Sequence, residues 1–250
     1  IAATSRSLGK NVFVAEAAPR LLGRSVAKEV SDYLLCKHRS NGVVVLLEAA
    51  IERVTEAADA VTAVWINGTR YVTDVVVVGV GALPNTELAQ EAGLACDNGV
   101  VVNELMQTSD PTIYAIGDCA NFPYFTFNSR LRLESVQNAN DQARCAAGVI
   151  CGAANPYRTL PWFWSEHGDV RVQIAGVPRG EDERVVRGDP SEHKFSVLYF
   201  DNGMLTCVES VNVPADHIAA RKLIASRAVV DRELAKNPIQ ALKDLAVAME

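Results

Sequence analysis

The chain has 250 residues, of which 49% are hydrophobic and 22% charged, and its formal net charge is −6 at pH 7. This length accommodates one large domain or two ordinary ones, and the acidic balance argues against a nucleic acid as the main partner. No apolar run reaches the roughly 18 residues that a membrane span needs, because the longest, near residues 75–83, is interrupted by Gly79 and Gly81. Residues 1–10 also lack the pattern of a signal peptide.

Six cysteines lie apart from one another, at positions 36, 96, 119, 145, 151 and 207. None forms a Cys-x-x-Cys pair, and none stands at metal-ligand spacing from a histidine. We therefore expect separate, buried thiols in a cytoplasmic protein and no metal site.

Short helices and strands alternate through the first 80 residues. The apolar spacing and the Gly and Asn-Gly punctuation are typical of such elements. The predicted elements are helices over residues 1–8 and 25–38 and strands over residues 11–15, 42–47, 51–54, 61–66 and 69–73. A continuous apolar run over residues 75–78 predicts one more strand, covered on both faces.

The later part of the chain changes in texture after residue 160. Before that point we predict a helix from residue 86, strands over 99–103 and 113–116, and a helix over 134–152. After it we predict strands over 171–175, 183–187, 194–200 and 204–212 and helices over 214–227 and 239–249. This order predicts an α/β fold class followed by a C-terminal α+β part.

The segment TSDPTIYAIGDCA, residues 108–120, carries the most informative candidate site. Its predicted strand runs directly into Gly117 and Asp118. Ligands of open α/β sheets bind past the carboxyl ends of the strands, where a Gly admits a ligand close to the backbone and an Asp accepts hydrogen bonds from hydroxyl groups. The pattern fits a ligand with a chain of hydroxyls, but a Gly-Asp pair also forms ordinary turns.

Two further segments are typical of nucleotide sites. The strand in VFVAE ends at Glu16, where an acidic residue accepts hydrogen bonds from ribose hydroxyls and repels a 2′-phosphate, which favours NAD over NADP. Arg24 follows within reach of a phosphate, and Gly79 leaves bare backbone against which a nucleotide can lie. The structural alternatives are a solvated Glu and Arg after a strand and a plain exit from a strand into a loop.

Two later residues stand at positions where a flat cofactor would fit. Glu134 opens the predicted long helix, whose free N–H groups and partial positive charge would stabilise negative charge on a flavin. Trp164 belongs to the aromatic segment PWFWS, and adjacent aromatic residues pack either in a core or against a flat ring. An ordinary helix start and core packing remain open at this point.

Taken together, these segments resemble the NADH-dependent, FAD-containing ferredoxin reductases of bacterial oxygenase systems, within the pyridine nucleotide-disulfide oxidoreductase superfamily. The matching segments are VFVAEAAPRLLGR (12–24), DVVVVGVGALPNTELAQEAGL (74–94), DNGVVVNELMQTSDPTIYAIGDCA (97–120), RLESVQNANDQAR (132–144) and PWFWSEHGDVRVQIAG (161–176). The last segment discriminates best, because disulfide reductases carry a different C-terminal domain with a His-Pro motif that this sequence lacks.

The resemblance implies roles for four residues toward FAD. Asp118, in the motif with Gly117, would bind the ribityl chain. Val136 would lie at the flavin through its backbone, and Trp164 would pack near the isoalloxazine ring. The implied chemistry is uptake of a hydride from NADH by the flavin and release of single electrons, so that the protein supplies geometry and electrostatics.

The resemblance also implies four contacts with NAD. Glu134 would lie by the nicotinamide, and Gly79 would line the nicotinamide half of the site. Glu16 and Arg24 would hold the ribose and phosphate.

The family has two Gly-x-Gly-x-x-Gly loops, one for the FAD pyrophosphate and one for NAD, and neither occurs in this sequence. We therefore expect an N-terminally truncated chain with three parts. These are an NAD-binding domain without its first strand and glycine loop (1–83), the C-terminal segment of an FAD-binding domain (84–157) and a C-terminal reductase domain (158–250).

The implied function is transfer of electrons from NADH via FAD to a [2Fe-2S] ferredoxin that serves an oxygenase or a cytochrome P450. Two alternatives stay open: a reductase of rubredoxin or another electron carrier, and a chain that is inactive on its own. An acidic ferredoxin would need a basic docking face, for which Arg130, Arg132 and Arg144 are candidates.

Overall fold

The structure, a computed structural model, describes residues 1–57, 60–127, 129–153, 155–180 and 182–247. The helices of the described residues are α1 (Ala2–Ser7), α2 (Lys28–Ser40), α3 (Glu87–Glu91), α4 (Val136–Ile150), α5 (Pro214–Ala225) and α6 (Arg232–Ala235). The strands are β1 (Phe13–Ala15), β2 (Val44–Leu46), β3 (Ile51–Ala57), β4 (Ala60–Ile66), β5 (Thr69–Val72), β6 (Val100–Val101), β7 (Ala120–Tyr124), β8 (Ser129–Leu131), β9 (Trp162–His167), β10 (Val170–Gly176), β11 (Glu183–Asp189), β12 (Lys194–Asp201), β13 (Met204–Val211), β14 (Val229–Val230) and β15 (Ala246–Val247). The chain forms two compact units, residues 1–79 with 164–250 and residues 80–163.

The first unit begins with a βαβ arrangement. Strands β1 and β2 pair in parallel, and α2 connects them. Strands β3, β4 and β5 form a separate antiparallel sheet. The β4–β5 hairpin turns at Asn67 and Gly68, with φ values of 49° and 76°, the left-handed conformations that a tight hairpin turn requires.

The rest of the first unit is an antiparallel sheet in the order β11-β12-β13-β10-β9, with α5 packed against β13 and β10. Nearly every residue of β12 and β13 is buried. Helix α2 contacts this sheet, because Tyr33 lies edge-on to Phe195 and the N–H of Ala27 donates to the carboxylate of Glu209 at 2.8 Å. The early βαβ residues and the C-terminal sheet therefore share one folded unit.

The second unit is built around a small three-stranded sheet. Strand β6 runs parallel to β7, and β7 forms a hairpin with β8. Its core is a cluster of buried side chains from the strands, the loop after β6, helix α4 and the segment after it. Its buried members are Val102, Met106, Ala120, Phe122, Ala146 and Tyr157.

Most of the predicted elements are present, but the strand predicted over residues 75–78 is not. This segment has no regular secondary structure, and Val75, Val77 and Val78 are exposed. The segment pairs with no described strand, and of its valines only Val76 packs against a core cluster, that of Ala49, Val64 and Ile66. An apolar run predicts a buried strand only where neighbouring strands complete the sheet.

The strand predicted over residues 113–116 is also wrong. The segment makes only an isolated bridge between Gln107 and Tyr114. Asp110 accepts hydrogen bonds from the backbone and hydroxyl of Thr112, and the N–H of Thr108 donates to the carbonyl of Ile113. These local bonds compete with strand pairing, and the strand of this region is β7, after Gly117 and Asp118 rather than before them.

The C-terminal helix predicted over residues 239–249 is wrong over its described part. The chain there forms a short 3-10 turn, Leu242–Asp244, followed by β15. Strand β15 pairs with β14, so tertiary pairing overrides the local helical pattern. Met249 lies outside the described residues.

The expectation of buried thiols is correct for Cys207 alone among the six free cysteines. Cys36 and Cys151 are exposed, and the other three are half-buried. Cys36 lies on α2 and Cys151 ends α4, where side chains face solvent. Among the described residues, no helix has the length and hydropathy that crossing a membrane requires.

Candidate functional site

Gly117 and Asp118 lie in a short 3-10 turn, Gly117–Cys119, directly before β7. Gly117 is buried and has a φ of 72°, a left-handed conformation that favours glycine. A Cβ at this position would lie 3.4 Å from the Cβ of Ala139 on α4. The turn is thus pressed against the helix, while the side chain of Asp118 is exposed.

Helix α4 begins beside this turn. Its N-cap is Ser135, whose Oγ accepts a hydrogen bond from the N–H of Asn138 at 3.2 Å, as N-cap side chains do. The first turn of the helix contains no acidic residue, so the partial positive charge of the helix start is not neutralised within that turn. Val136 is 66% exposed there, which leaves an apolar side chain and a helix start open to a ligand.

Arg132 connects the two halves of this site. Its Nη1 donates to the carbonyl of Asp118 at 2.9 Å and to Oε1 of Glu134 at 2.6 Å, and its Nε donates to Oδ1 of Asn98 at 3.2 Å. The Arg132 side chain is only 12% exposed. It therefore fixes the position of Glu134 relative to the Asp118 turn.

The turn and the helix start line an open pocket of about 360 Å³. Its lining residues are Asp118, Glu134, Ser135, Val136, Ala139 and Asn140. This volume is at the small end of the range for small-molecule sites, roughly 300–1,000 Å³. The pocket combines a carboxylate that accepts from hydroxyls, an apolar side chain and a helix N-terminus, which fits one section of a large cofactor such as FAD.

Glu16 follows β1 directly and is half-buried. Its Oε1 accepts the N–H of Ala18 at 2.9 Å, and its backbone bonds to Leu46 and Ala49. The carboxylate is thus fixed at the carboxyl end of a parallel strand, the edge where nucleotides bind in such sheets. Gly79 is exposed, with open space where a Cβ would stand.

Arg24 lines a second pocket, of about 290 Å³, which lies in the first unit, as Glu16 does. The pocket includes Arg20, Arg184 and, at its wall, Glu209. Burial raises the pKa of Glu209 to about 7, although hydrogen bonds from Tyr199 and from the backbone of Ala27 lower it. Neither Glu16 nor Gly79 lines this pocket.

Trp164 lies on β9 and is 43% exposed. This exposure is more than a core position allows, so the core alternative is wrong for this tryptophan. Trp162 and Phe163 before it are half-buried.

The structure therefore brings Asp118, Glu134 and Val136 together around one pocket beside Gly117. Sequence reasoning missed the linking role of Arg132. It also missed Gln142 on α4, whose Oε1 accepts a hydrogen bond from the N–H of Gly117 at 2.7 Å. Ser135 carried a usable signal, since a Ser directly before a helical pattern is typical of an N-cap.

Two of the proposed docking arginines are engaged elsewhere. Arg130 Nη2 donates to the carbonyl of Val102 at 2.5 Å, and its Nε donates to Oδ1 of Asn121 at 3.2 Å. Arg132 makes the bonds described above. Arg144 is 77% exposed and pairs with Asp141, so of the three only Arg144 presents its charge mainly to solvent.

A family model described as pyridine nucleotide-disulphide oxidoreductase matches residues 1–143, and a reductase C-terminal model matches residues 162–246. The chain belongs to the pyridine nucleotide-disulphide oxidoreductase family. This confirms the α/β fold class with a C-terminal reductase domain that the sequence predicts.

Similar proteins and structures agree with this placement. Rhodocoxin reductase of Rhodococcus erythropolis is 42% identical over 249 residues, which cover 99% of this chain and 58% of that protein. The crystal structure of the ferredoxin reductase for the CYP199A2 system from Rhodopseudomonas palustris is 42% identical with a TM-score of 0.93, over 98% of this chain and 61% of that one. The covalent putidaredoxin reductase–putidaredoxin complex gives a TM-score of 0.94 at 37% identity, over 98% and 59% of the two chains. The chain thus spans about three fifths of the length of these relatives.

Proposed function

We propose that this chain is part of a flavoprotein reductase that passes electrons from NADH via FAD to a [2Fe-2S] ferredoxin serving an oxygenase or a cytochrome P450. The observation that carries the proposal is the pocket of about 360 Å³ between the Gly117–Asp118 turn and the start of α4. FAD, when bound, supplies the acceptor for a hydride and the donor of single electrons. The structural comparison with a reductase in complex with putidaredoxin supports the choice of partner.

The residues around the pocket suit the middle of FAD. The Asp118 carboxylate is an acceptor-only group that would bind ribityl hydroxyls. The N-terminus of α4 at Val136 would stabilise negative charge on the flavin. Glu134, held by Arg132 at 2.6 Å, would lie by the nicotinamide.

The other proposed cofactor contacts lie in the first unit. Glu16 would accept from the ribose of NAD, Arg24 would meet a phosphate, Gly79 would line the nicotinamide half, and Trp164 would pack near the isoalloxazine. We also retain the proposed division into an NAD-binding part (1–83), an FAD-binding segment (84–157) and a reductase domain (158–250).

The experiment is the visible spectrum of the purified chain after incubation with FAD and removal of free cofactor. A flavin band that NADH bleaches is the expected result. A colourless protein that NADH does not stabilise against heat would refute flavin chemistry for this chain and favour the inactive alternative. Offering the reduced protein a [2Fe-2S] ferredoxin and a rubredoxin in parallel then decides between the two carriers.

Nucleotide preference gives a second test. Glu16→Arg replaces a charge that repels a 2′-phosphate by one that attracts it, so the ratio of the rates of flavin bleaching by NADH and NADPH should shift toward NADPH. The control is Glu48→Arg, which makes the same change of charge at an exposed glutamate of this unit. An unchanged ratio in Glu16→Arg means that Glu16 is not the ribose ligand.

A further inference from the structure

Gln142 on α4 is fully buried, and only half of its amide is used. Its Oε1 accepts the N–H of Gly117 at 2.7 Å. Its Nε2 is buried and has no hydrogen-bond partner among the described residues. A buried donor without a partner carries a desolvation cost, so packing alone does not account for a glutamine at this position.

Gln137, one and a half turns earlier on the same helix, shows what a structural glutamine looks like here. It is also buried, but both ends of its amide are used. Its Oε1 accepts the N–H of Trp162 at 3.1 Å, and its Nε2 donates to Oδ2 of Asp141 at 2.5 Å. Gln142 differs because only its Oε1 is hydrogen-bonded, to the N–H of Gly117, while its buried Nε2 has no partner among the described residues.

The contact of Gln142 lies at the base of the Asp118 turn. Gly117 adopts a left-handed φ of 72°, and its N–H points toward α4 rather than into a strand. The bond to Gln142 satisfies this buried donor. Asp118 is the next residue, so the backbone orientation at Gly117 determines the direction in which the Asp118 side chain leaves the chain.

We propose that Gln142 is a positioning residue: by holding the N–H of Gly117, it fixes the turn so that the Asp118 carboxylate faces the pocket at the start of α4. The ligand class, a chain of hydroxyls as in the ribityl part of a flavin, rests on the proposed function. The hold on the turn itself is independent of any ligand.

The test compares Gln142→Met with Gln137→Met in the 250-residue chain. The two substitutions remove the same amide from the same helix, but only the first removes a contact with the turn. Gln142→Met removes the unpaired Nε2, which favours the folded state, and leaves the Gly117 N–H unpaired, which disfavours it. The two effects offset each other, so the overall stability of the variant should change little. Hydrogen exchange without cofactor should quicken about tenfold in the peptide over residues 113–120, as loss of one buried hydrogen bond predicts. Gln137→Met should leave this peptide protected.

FAD titration gives the second readout. Gln142→Met should weaken FAD binding about tenfold. Gln142→Glu keeps an acceptor oxygen, and full burial favours its neutral acid over an unpaired buried charge, so below its raised pKa it should restore the exchange protection and most of the affinity. Unchanged exchange over residues 113–120 in Gln142→Met would overturn the proposal. So would equal FAD affinity in both methionine variants. If the unmodified chain binds no FAD, the proposed function fails, while the exchange comparison still decides whether Gln142 holds the turn.

Discussion

A buried arginine, Arg187, binds the C-terminal segment to the sheet. Removing the charge of this arginine should reduce the free energy of unfolding of the chain substantially. Arg187 is 3% exposed. Its Nε donates to Oδ2 of Asp216 at 3.0 Å, and its Nη atoms donate to the carbonyls of Ala235, Asn237 and Gln240 at 3.1, 2.5 and 2.6 Å. The guanidinium thus joins β11, α5 and the chain that leads to β15.

Arg187→Met fills similar space but leaves the buried Asp216 carboxylate with the Ser196 hydroxyl as its remaining hydrogen-bond donor among the described residues. Breaking one side of a buried ion pair costs about 3–5 kcal/mol, a large fraction of the roughly 5–15 kcal/mol that stabilises a domain. The pair Arg187→Met with Asp216→Leu leaves neither charge unpaired, so it should lose less than Arg187→Met alone.

The assay is urea unfolding at pH 7, followed by far-UV circular dichroism. Lys28→Met is the control, because Lys28 pairs with Asp32 on the surface of α2, with a side chain that is 71% exposed. Surface pairs of this kind contribute about 0–1 kcal/mol. Equal losses of stability in Arg187→Met and Lys28→Met would show that the buried Arg187–Asp216 pair contributes no more than a surface pair. A double variant that loses more stability than Arg187→Met would contradict the expected cost of an unpaired charge.

Two further predictions concern Glu209 and Gly117. Folding raises the pKa of Glu209 from 4.5 to about 7. Protonation of Glu209 therefore stabilises the fold fully below about pH 4.5, and this contribution is lost as the pH rises through 7. The free energy of unfolding of the unmodified chain minus that of Glu209→Gln should fall between these pH values, and a constant difference would contradict the prediction. Gly117→Ala should destabilise the folded chain by about 1–2 kcal/mol, because Gly117 has a left-handed φ. Gly79→Ala is the control and should cost much less, since nothing lies within 4 Å of the added Cβ. Urea unfolding measures both costs, and equal costs would show that the turn is not constrained.

The sequence predicted the elements whose own residue pattern is strong. Strands β10, β12 and β13 alternate with turns, and α4 has an apolar period and a Ser at its N-cap, so local patterns were sufficient. The predictions for residues 75–78 and 239–249 failed because their structure depends on whether another segment pairs with them: β14 pairs with β15, and no described strand pairs with residues 75–78. The apolar composition of a segment does not by itself show whether another strand pairs with it.

The candidate site divides in the same way. Asp118 and Glu134 could be found because acidic residues beside a glycine or at a helix start have a recognisable pattern. Arg132 and Gln142 could not be found in this way. Each acts through a hydrogen bond with a backbone group, and such a bond imposes no characteristic spacing on the sequence. The error over residues 113–116 had a local cause, since Thr108 and Asp110 bond to the backbone around them.

The most direct test of the account is calorimetric titration of FAD into the purified chain, comparing Asp118→Ala with Asp110→Ala. Asp118 is exposed and Asp110 half-buried, and both lie in the same segment, but the Asp110 carboxylate accepts hydrogen bonds from its own turn, at Thr112. We expect FAD to bind the unmodified chain and Asp110→Ala alike and to bind Asp118→Ala at least about tenfold more weakly, as loss of a charged hydrogen-bond acceptor predicts. Equal affinity in the two variants, or no heat of binding in any of the three proteins, would contradict the assignment of this pocket to a flavin.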